Sequence, residues 1–178
     1  MNVALIGYRG TGKSTVARRL ADRLAWAVVD TDDLIELRAG KSIKNIFDED
    51  GEVRFRDLEA EVIREAVKNP RQVLALGGGA VLREETRQVL AACKVVWLQA
   101  DVETLAARIS GDPVSGSRRP DLTSAGGVAE IQRILAQRQP VYQEIADYAV
   151  DTSGKSPEQL ADEIVSLLKD RRQADEDG

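Results

Sequence analysis

Near the start of the chain, Gly7-Tyr8-Arg9-Gly10-Thr11-Gly12-Lys13-Ser14 fits the pattern G-x-x-x-x-G-K-[ST] in full. The apolar run Val3-Ala4-Leu5-Ile6 precedes it, and Val16, Leu20 and Leu24 follow at helical spacing. A strand, a loop and a helix therefore stand in the order that a phosphate cradle requires. The glycines let consecutive backbone N–H groups turn inward around phosphate oxygens, and the helix N-terminus adds partial positive charge. Lys13 is placed to reach the outer phosphates and Ser14 to ligate Mg²⁺. A plain glycine turn has no use for that lysine. Gly10, Thr11, Gly12, Lys13, Ser14 and Thr15 are thus candidate ligands of a nucleotide, although the loop alone does not say what accepts the phosphoryl group.

Further apolar runs rich in Val, Leu and Ile recur at 27–29, 73–76, 95–98 and 148–150, with helical patterns between them. This alternation predicts an α/β fold in three layers, a five-stranded parallel sheet with helices on both faces. The last helix is well marked: Ser156 and Gln159 form a capping-box pattern, Pro157 takes the first helical position, and Leu160, Ile164, Leu167 and Leu168 follow. We expect a single domain over 1–170, with a charged helical insertion at 33–60 broken by Gly40 and Gly51. A lid is expected at 110–126, where turn-forming residues and paired arginines interrupt a helical region. The acidic end, 171–178, reads as a disordered tail.

The 178 residues carry a net charge of −5, which gives no basic field for nucleic acid, so an anionic substrate must be met by locally placed Arg and Lys. With no histidine and Cys93 as the single cysteine, an internal disulfide and a His-ligated metal are excluded. Cys93 reads as a small core filler, and a reducing cytoplasm fits. No leader precedes the first strand and no long apolar stretch occurs, so the expectation is a cytoplasmic protein without membrane contact. With no visible apolar interface, the default is a monomer.

Three groups of residues gather toward the carboxyl edge of the predicted sheet, where ligands of open α/β folds bind. Asp30-Thr31-Asp32 ends the second strand, and alternation along an extended end would point both carboxylates the same way. One would then hold the water shell of a metal and the other accept a proton from an attacking hydroxyl; alternatively, either aspartate caps a helix beginning near Leu34. Gly77-Gly78-Gly79 follows the third strand and presents bare backbone to a ligand or makes a tight turn. Arg56, Arg119 and Arg138 each carry the forked guanidinium that suits a carboxylate or phosphate, although a lone arginine is more often a solvated helix residue.

Taken together, Gly12-Lys13-Ser14-Thr15, Asp30-Thr31-Asp32, Phe55-Arg56, Gly77-Gly78-Gly79-Ala80-Val81, Arg119-Pro120 and Arg138 before Pro140 and Tyr142 resemble shikimate kinase. The likeness runs from residue 3 to about 168. It implies the sheet order 2-3-1-4-5 and small substrate-binding and lid subdomains. The activity implied is transfer of the ATP γ-phosphoryl to the 3-hydroxyl of shikimate, in the route to chorismate and the aromatic amino acids. The implied catalytic residues are Lys13, Asp32 and Arg119. ATP and Mg²⁺ would be served by Lys13 and Ser14, with Asp30 aiding the metal through water. Asp32 would bind the acceptor hydroxyls as candidate base, while Arg56 and Arg138 clamp the carboxylate beside the Gly77-Gly78-Gly79 backbone. Arg108 and Lys155 match positions near the adenine.

The lid departs from the family pattern. It is longer before its arginine, and Asp121 stands where a leucine is usual, so Arg118 is an alternative to Arg119. Two rival readings remain open from sequence: a related kinase acting on gluconate or a nucleoside monophosphate, and a nucleotide-binding regulator without catalysis. The first has no need of Phe55-Arg56 together with Arg138. The second, if a GTPase-type switch, lacks an Asn-Lys-x-Asp signature.

Overall fold

The structure, a computed structural model, describes residues 1–112 and 127–176, with side chains described as far as residue 170. Strands and helices alternate: β1 (Asn2–Ile6), α1 (Lys13–Leu24), β2 (Ala27–Asp30), α2 (Thr31–Ala39) and α3 (Ile43–Ala66) come first. They are followed by β3 (Gln72–Ala75), a short 3₁₀ turn (Ala80–Leu82), α4 (Glu84–Leu90), β4 (Cys93–Gln99) and α5 (Val102–Ser110). After the segment outside the described residues come α6 (Gly127–Ile145), β5 (Tyr148–Asp151) and α7 (Pro157–Glu176).

All five strands are parallel, in the order β2-β3-β1-β4-β5. Central β1 pairs Leu5 with Ala75 on one side and Val96 on the other. Every residue of β1 is buried, because helices cover both faces and no solvent side is left for polar alternation. On one face Leu5, Val16, Leu20, Ile164 and Leu168 join α1 and α7 to the sheet. On the other, Ile6, Ile63, Leu74, Leu90, Trp97 and Tyr142 bring α3, α4 and α6 onto it. Each fully buried aliphatic or aromatic side chain contributes about 1.5–3 kcal/mol by leaving water.

The expected capping box of α7 is formed. The Ser156 N–H donates to Gln159 Oε1 at 2.8 Å, and the Gln159 N–H donates to Ser156 Oγ at 3.2 Å. Helices α2 and α3 enclose a small core of their own, built on Ile35, Ile43, Ile46, Phe55, Leu58 and Val62. Gly51, at φ 81° and ψ 169°, kinks α3 in a conformation that a side chain would resist. A fourth cluster, Tyr8, Leu105, Ile131 and Ile134, seats α5 and α6 beside the loop that follows β1. Among the described residues, no helix is long and apolar enough to cross a membrane.

Candidate active site

The loop after β1 opens with Gly7 at φ 141°, and a Cβ there would stand 2.5 Å from the Leu98 carbonyl oxygen of β4. Only glycine lets the chain leave the sheet so close to its neighbour. Thr11 then closes the turn, its hydroxyl donating to the Tyr8 carbonyl at 2.8 Å. Helix α1 begins at Lys13, whose Nζ donates to the carbonyls of Gly7 and Tyr8, each at 2.8 Å. The ammonium is thereby folded back over the loop, in line with the N-terminal end of the helix.

Ser14 Oγ donates to Asp30 Oδ2 at 2.6 Å, joining α1 to the end of β2. Asp30 also caps α2, its Oδ1 accepting the Asp32 N–H at 3.0 Å. The capping reading of this aspartate is therefore realised on Oδ1, while Oδ2 faces Ser14. The alternation expected for Asp30 and Asp32 is not: the strand stops at Asp30, and α2 begins at Thr31, three residues earlier than the sequence suggested. The short Asp side chain turned the chain into a helix by bonding the backbone two residues on. Asp32 sits in the first helical turn and nevertheless lines the same cavity as Asp30.

That cavity measures about 420 Å³ and runs along the carboxyl edge of the sheet. Gly10, Gly12, Lys13, Ser14 and Thr15 of the phosphate loop line it, and beside them Asp30, Asp32, Gly77 and Gly78 from the ends of β2 and β3. Thr31, fully buried between the two aspartates, donates its hydroxyl to the Ala75 carbonyl at 3.2 Å and accepts the Gly77 N–H at 3.3 Å. One side chain thus ties the aspartate turn to the glycine turn.

The two arginines converge on that glycine turn from different helices. A Cβ on Gly79 would lie 2.5 Å from an Nη of Arg56, and a Cβ on Gly78 would lie 3.3 Å from an Nη of Arg138. What these glycines provide is close approach of the guanidinium groups to the backbone and not a special backbone angle, since their φ angles are not in the left-handed region. Arg56, on α3, is held by Glu59, which accepts from its Nη1 at 2.6 Å and is itself only 2% exposed. Arg138, on α6, is 8% exposed, and one turn later Tyr142 donates its hydroxyl to the Gly78 carbonyl. A buried charge such as that of Arg56 persists when it is paired.

Arg108, on α5, lines the cavity and donates to the carbonyl of Gly10 at 3.3 Å and to the Thr152 hydroxyl at 3.0 Å. Lys155 is turned to Glu163 at 2.7 Å and does not line the cavity. Arg118 and Arg119, with most of the expected lid, lie outside the described residues. Cys93 is buried at the start of β4, and burial pushes its thiol up to about 11, as befits a filler with no chemical part.

Sequence reasoning missed Arg9 and Arg18, which line the cavity, and Thr31 and Glu59, which position others. Arg9 stands inside the loop motif at a position the pattern leaves open. Glu59 offered one usable signal, its place three residues after Arg56 on a helix, where the two side chains meet.

The donor set can be tested for a hard cation. Ser14 and Asp30 supply neighbouring oxygens, and no group of three or more His, Cys, Asp or Glu stands together among the described residues. That fits Mg²⁺, which takes one or two protein oxygens and completes its shell with water and phosphate, and it does not fit a metal needing an all-protein cage.

The family model described as shikimate kinase matches residues 9–169. A shikimate kinase from Rhodopirellula baltica is 43% identical over 162 residues, 90% of this chain and 87% of that one. Another from Thermobifida fusca is 44% identical over 164 residues, 92% of each chain. Among solved structures, shikimate kinase from Acinetobacter baumannii in complex with shikimate superposes with a TM-score of 0.89 at 34% identity, covering 96% of this chain and 93% of that one.

Proposed function

The chain belongs to the shikimate kinase family, and from that premise we propose how its residues divide the work of phosphorylating the shikimate 3-hydroxyl with ATP. The activity is an ATP-dependent phosphotransfer to an alcohol, yielding shikimate 3-phosphate and ADP. The observation that supports the assignment of residues is that two arginines reach a glycine turn whose Gly77 and Gly78 line the same cavity as the phosphate loop.

In this reading the N–H groups of Gly10, Thr11 and Gly12 and the start of α1 hold the phosphates, joined by Thr15. Lys13 exchanges its loop carbonyls for the β- and γ-phosphate oxygens. Ser14, with Asp30 through water, holds Mg²⁺, which when bound screens the phosphate charge and orients the chain of oxygens. Arg108 borders the nucleotide, and Arg119 approaches the transferring group from the lid. Lys155 is assigned here to the region of the base on the resemblance alone, and its pairing with Glu163 must open for that role.

At the acceptor end Arg56 and Arg138 donate to the shikimate carboxylate as a forked clamp, with Gly77, Gly78 and Gly79 allowing the ring to lie against bare backbone. Asp32 accepts hydrogen bonds from the ring hydroxyls. As the bond from the hydroxyl oxygen to γ-phosphorus forms, the bond from phosphorus to the bridging oxygen breaks and its electrons leave with ADP. The hydroxyl proton passes to Asp32. In a loose transition state most of the acceleration comes from placement and charge, so fixed donors matter more than the strength of the base. Segment 110–126 acts as a lid that excludes water, and 33–60 as the substrate-binding insertion. We also take the enzyme to be a cytoplasmic monomer, with no nucleic-acid or membrane partner.

A coupled ADP-release assay with Mg-ATP tests the reading, with shikimate, quinate, gluconate and nucleoside monophosphates as acceptors. Turnover confined to shikimate is the expected result. Release on gluconate or a nucleotide with silence on shikimate would overturn it.

A further inference from the structure

Residue 8 occupies one of the positions of the phosphate loop where the motif accepts any side chain. Here it is a tyrosine, 1% exposed, packed with Leu105 of α5 and with Ile131 and Ile134 of α6. Its carbonyl accepts both Lys13 and Thr11. Its ring faces the other half of the site: the guanidinium carbon of Arg138, one turn beyond Ile134, lies 5.8 Å from the ring centroid. That is within reach of the attraction between a cation and an aromatic face. The same guanidinium also lies close to the bare backbone of Gly78, where an added Cβ would stand 3.3 Å from its Nη1.

An arginine has many rotamers, and ordering it when a ligand arrives weakens binding; a side chain already held in place avoids that loss. We propose that Tyr8 is a positioning residue for acceptor binding: its ring holds the Arg138 guanidinium toward the Gly78 turn, ready for the acceptor carboxylate. The inference rests on the reading of Arg138 as a carboxylate ligand. It gives residue 8 of the phosphate loop a part in acceptor recognition as well as in the loop's own geometry.

Steady-state kinetics with shikimate varied at saturating ATP, and the reverse, would compare Tyr8→Phe, Tyr8→Met, Arg138→Ala and the double variant Tyr8→Met/Arg138→Ala. Tyr8→Phe keeps the ring and is expected within about twofold of the parent. Tyr8→Met keeps volume without an aromatic face, and should raise the shikimate KM about threefold to thirtyfold, with kcat and the ATP KM within about threefold. In the Arg138→Ala background the same change should add less than about twofold, since no guanidinium remains to be held. An unchanged shikimate KM in Tyr8→Met, an equal rise in both KM values, or additive effects in the double variant would each overturn the proposal. If Arg138→Ala itself leaves the shikimate KM unchanged, the clamp assignment fails and the inference falls with it; if Arg138→Ala raises it and Tyr8→Met does not, the inference alone fails. Should Tyr8→Met not fold, pentafluorophenylalanine at position 8 keeps the ring's size and reverses the charge of its face. It must then raise the shikimate KM above that of Tyr8→Phe, and equality of the two would refute the role of the face.

Discussion

The nucleotide end and the acceptor end of the site, although they adjoin, are built in opposite ways. The nucleotide end is nearly continuous in sequence: residues 7–15 form one loop and the first turn of α1, and their mutual geometry is set by local backbone. The acceptor end is assembled from α2, α3, the turn after β3 and α6, with Asp32 and Arg138 more than a hundred residues apart. A contiguous site is as robust as its own turn, whereas a dispersed one is only as well placed as the packing of the helices that carry it. The two ends should accordingly fail in different ways, and substitutions can tell them apart.

The largest effect is expected at the nucleotide end. Lys13→Ala removes a charge aimed where negative charge develops, and kcat should fall about a thousandfold, in the range of losing one such preorganised donor. The unfolding temperature and the affinity for shikimate should hardly move, because the bonds that Lys13 makes to the Gly7 and Tyr8 carbonyls lie within its own loop. Calorimetric titration with shikimate beside the assay would check both, and retained turnover would refute the loop assignment. At the acceptor end, Arg138→Ala should raise the shikimate KM about a hundredfold, as truncating one partner of a buried charge pair does. The ATP KM should stay within about twofold. Equal losses toward both substrates would erase the distinction between the two ends.

Gly79→Ala probes the dispersed end without touching a charged group. The added methyl would lie 2.5–2.9 Å from the Arg56 guanidinium, the far end of a flexible side chain. Gly79 has φ −105°, so alanine is tolerated by the backbone. The guanidinium must swing aside, and we expect about a tenfold rise in the shikimate KM with kcat nearly unchanged, since a clamp arm displaced in both ground and transition states is uniform binding lost. Thermal unfolding should show little change. A large loss of stability with an unchanged KM would mean that Arg56 serves packing and not the acceptor.

The same contrast explains what could be read beforehand. The phosphate loop, five strands and the capping box of α7 are legible because each rests on near neighbours or on a simple period, and each is found within a residue or two of its expected place. The sheet order came only with the family likeness, since which strands pair is decided by crossovers that no local pattern records. Asp30 and Asp32 were read either as strand alternation or as caps of a following helix, and it is the side chain of Asp30 that starts the helix. Arg56 and Arg138 could not be told from the other arginines by residue type. What distinguishes them is burial, against Glu59 in one case and between Tyr8 and Gly78 in the other, and burial belongs to the packed molecule.

Thr31 ties the aspartate turn to the glycine turn, and it carries the smallest of these effects. Its hydroxyl accepts the Gly77 N–H at 3.3 Å and donates to the Ala75 carbonyl at 3.2 Å, both long for such bonds. Thr31→Val keeps the shape and leaves the Gly77 N–H without this acceptor in a buried place, costing about 1 kcal/mol of stability. Because Gly77 leads into the turn that meets both arginines, the shikimate KM should rise about threefold, while Lys13 and the phosphate loop, anchored by their own bonds, keep the ATP KM unchanged. Thr31→Ser restores the hydroxyl and should restore the KM. If Thr31→Val weakened ATP as much as shikimate, the aspartate turn would be holding the phosphate loop as firmly as the glycine turn. The two ends would then be one mechanical unit, and the contrast between a local and a dispersed site would describe only how they are written in sequence.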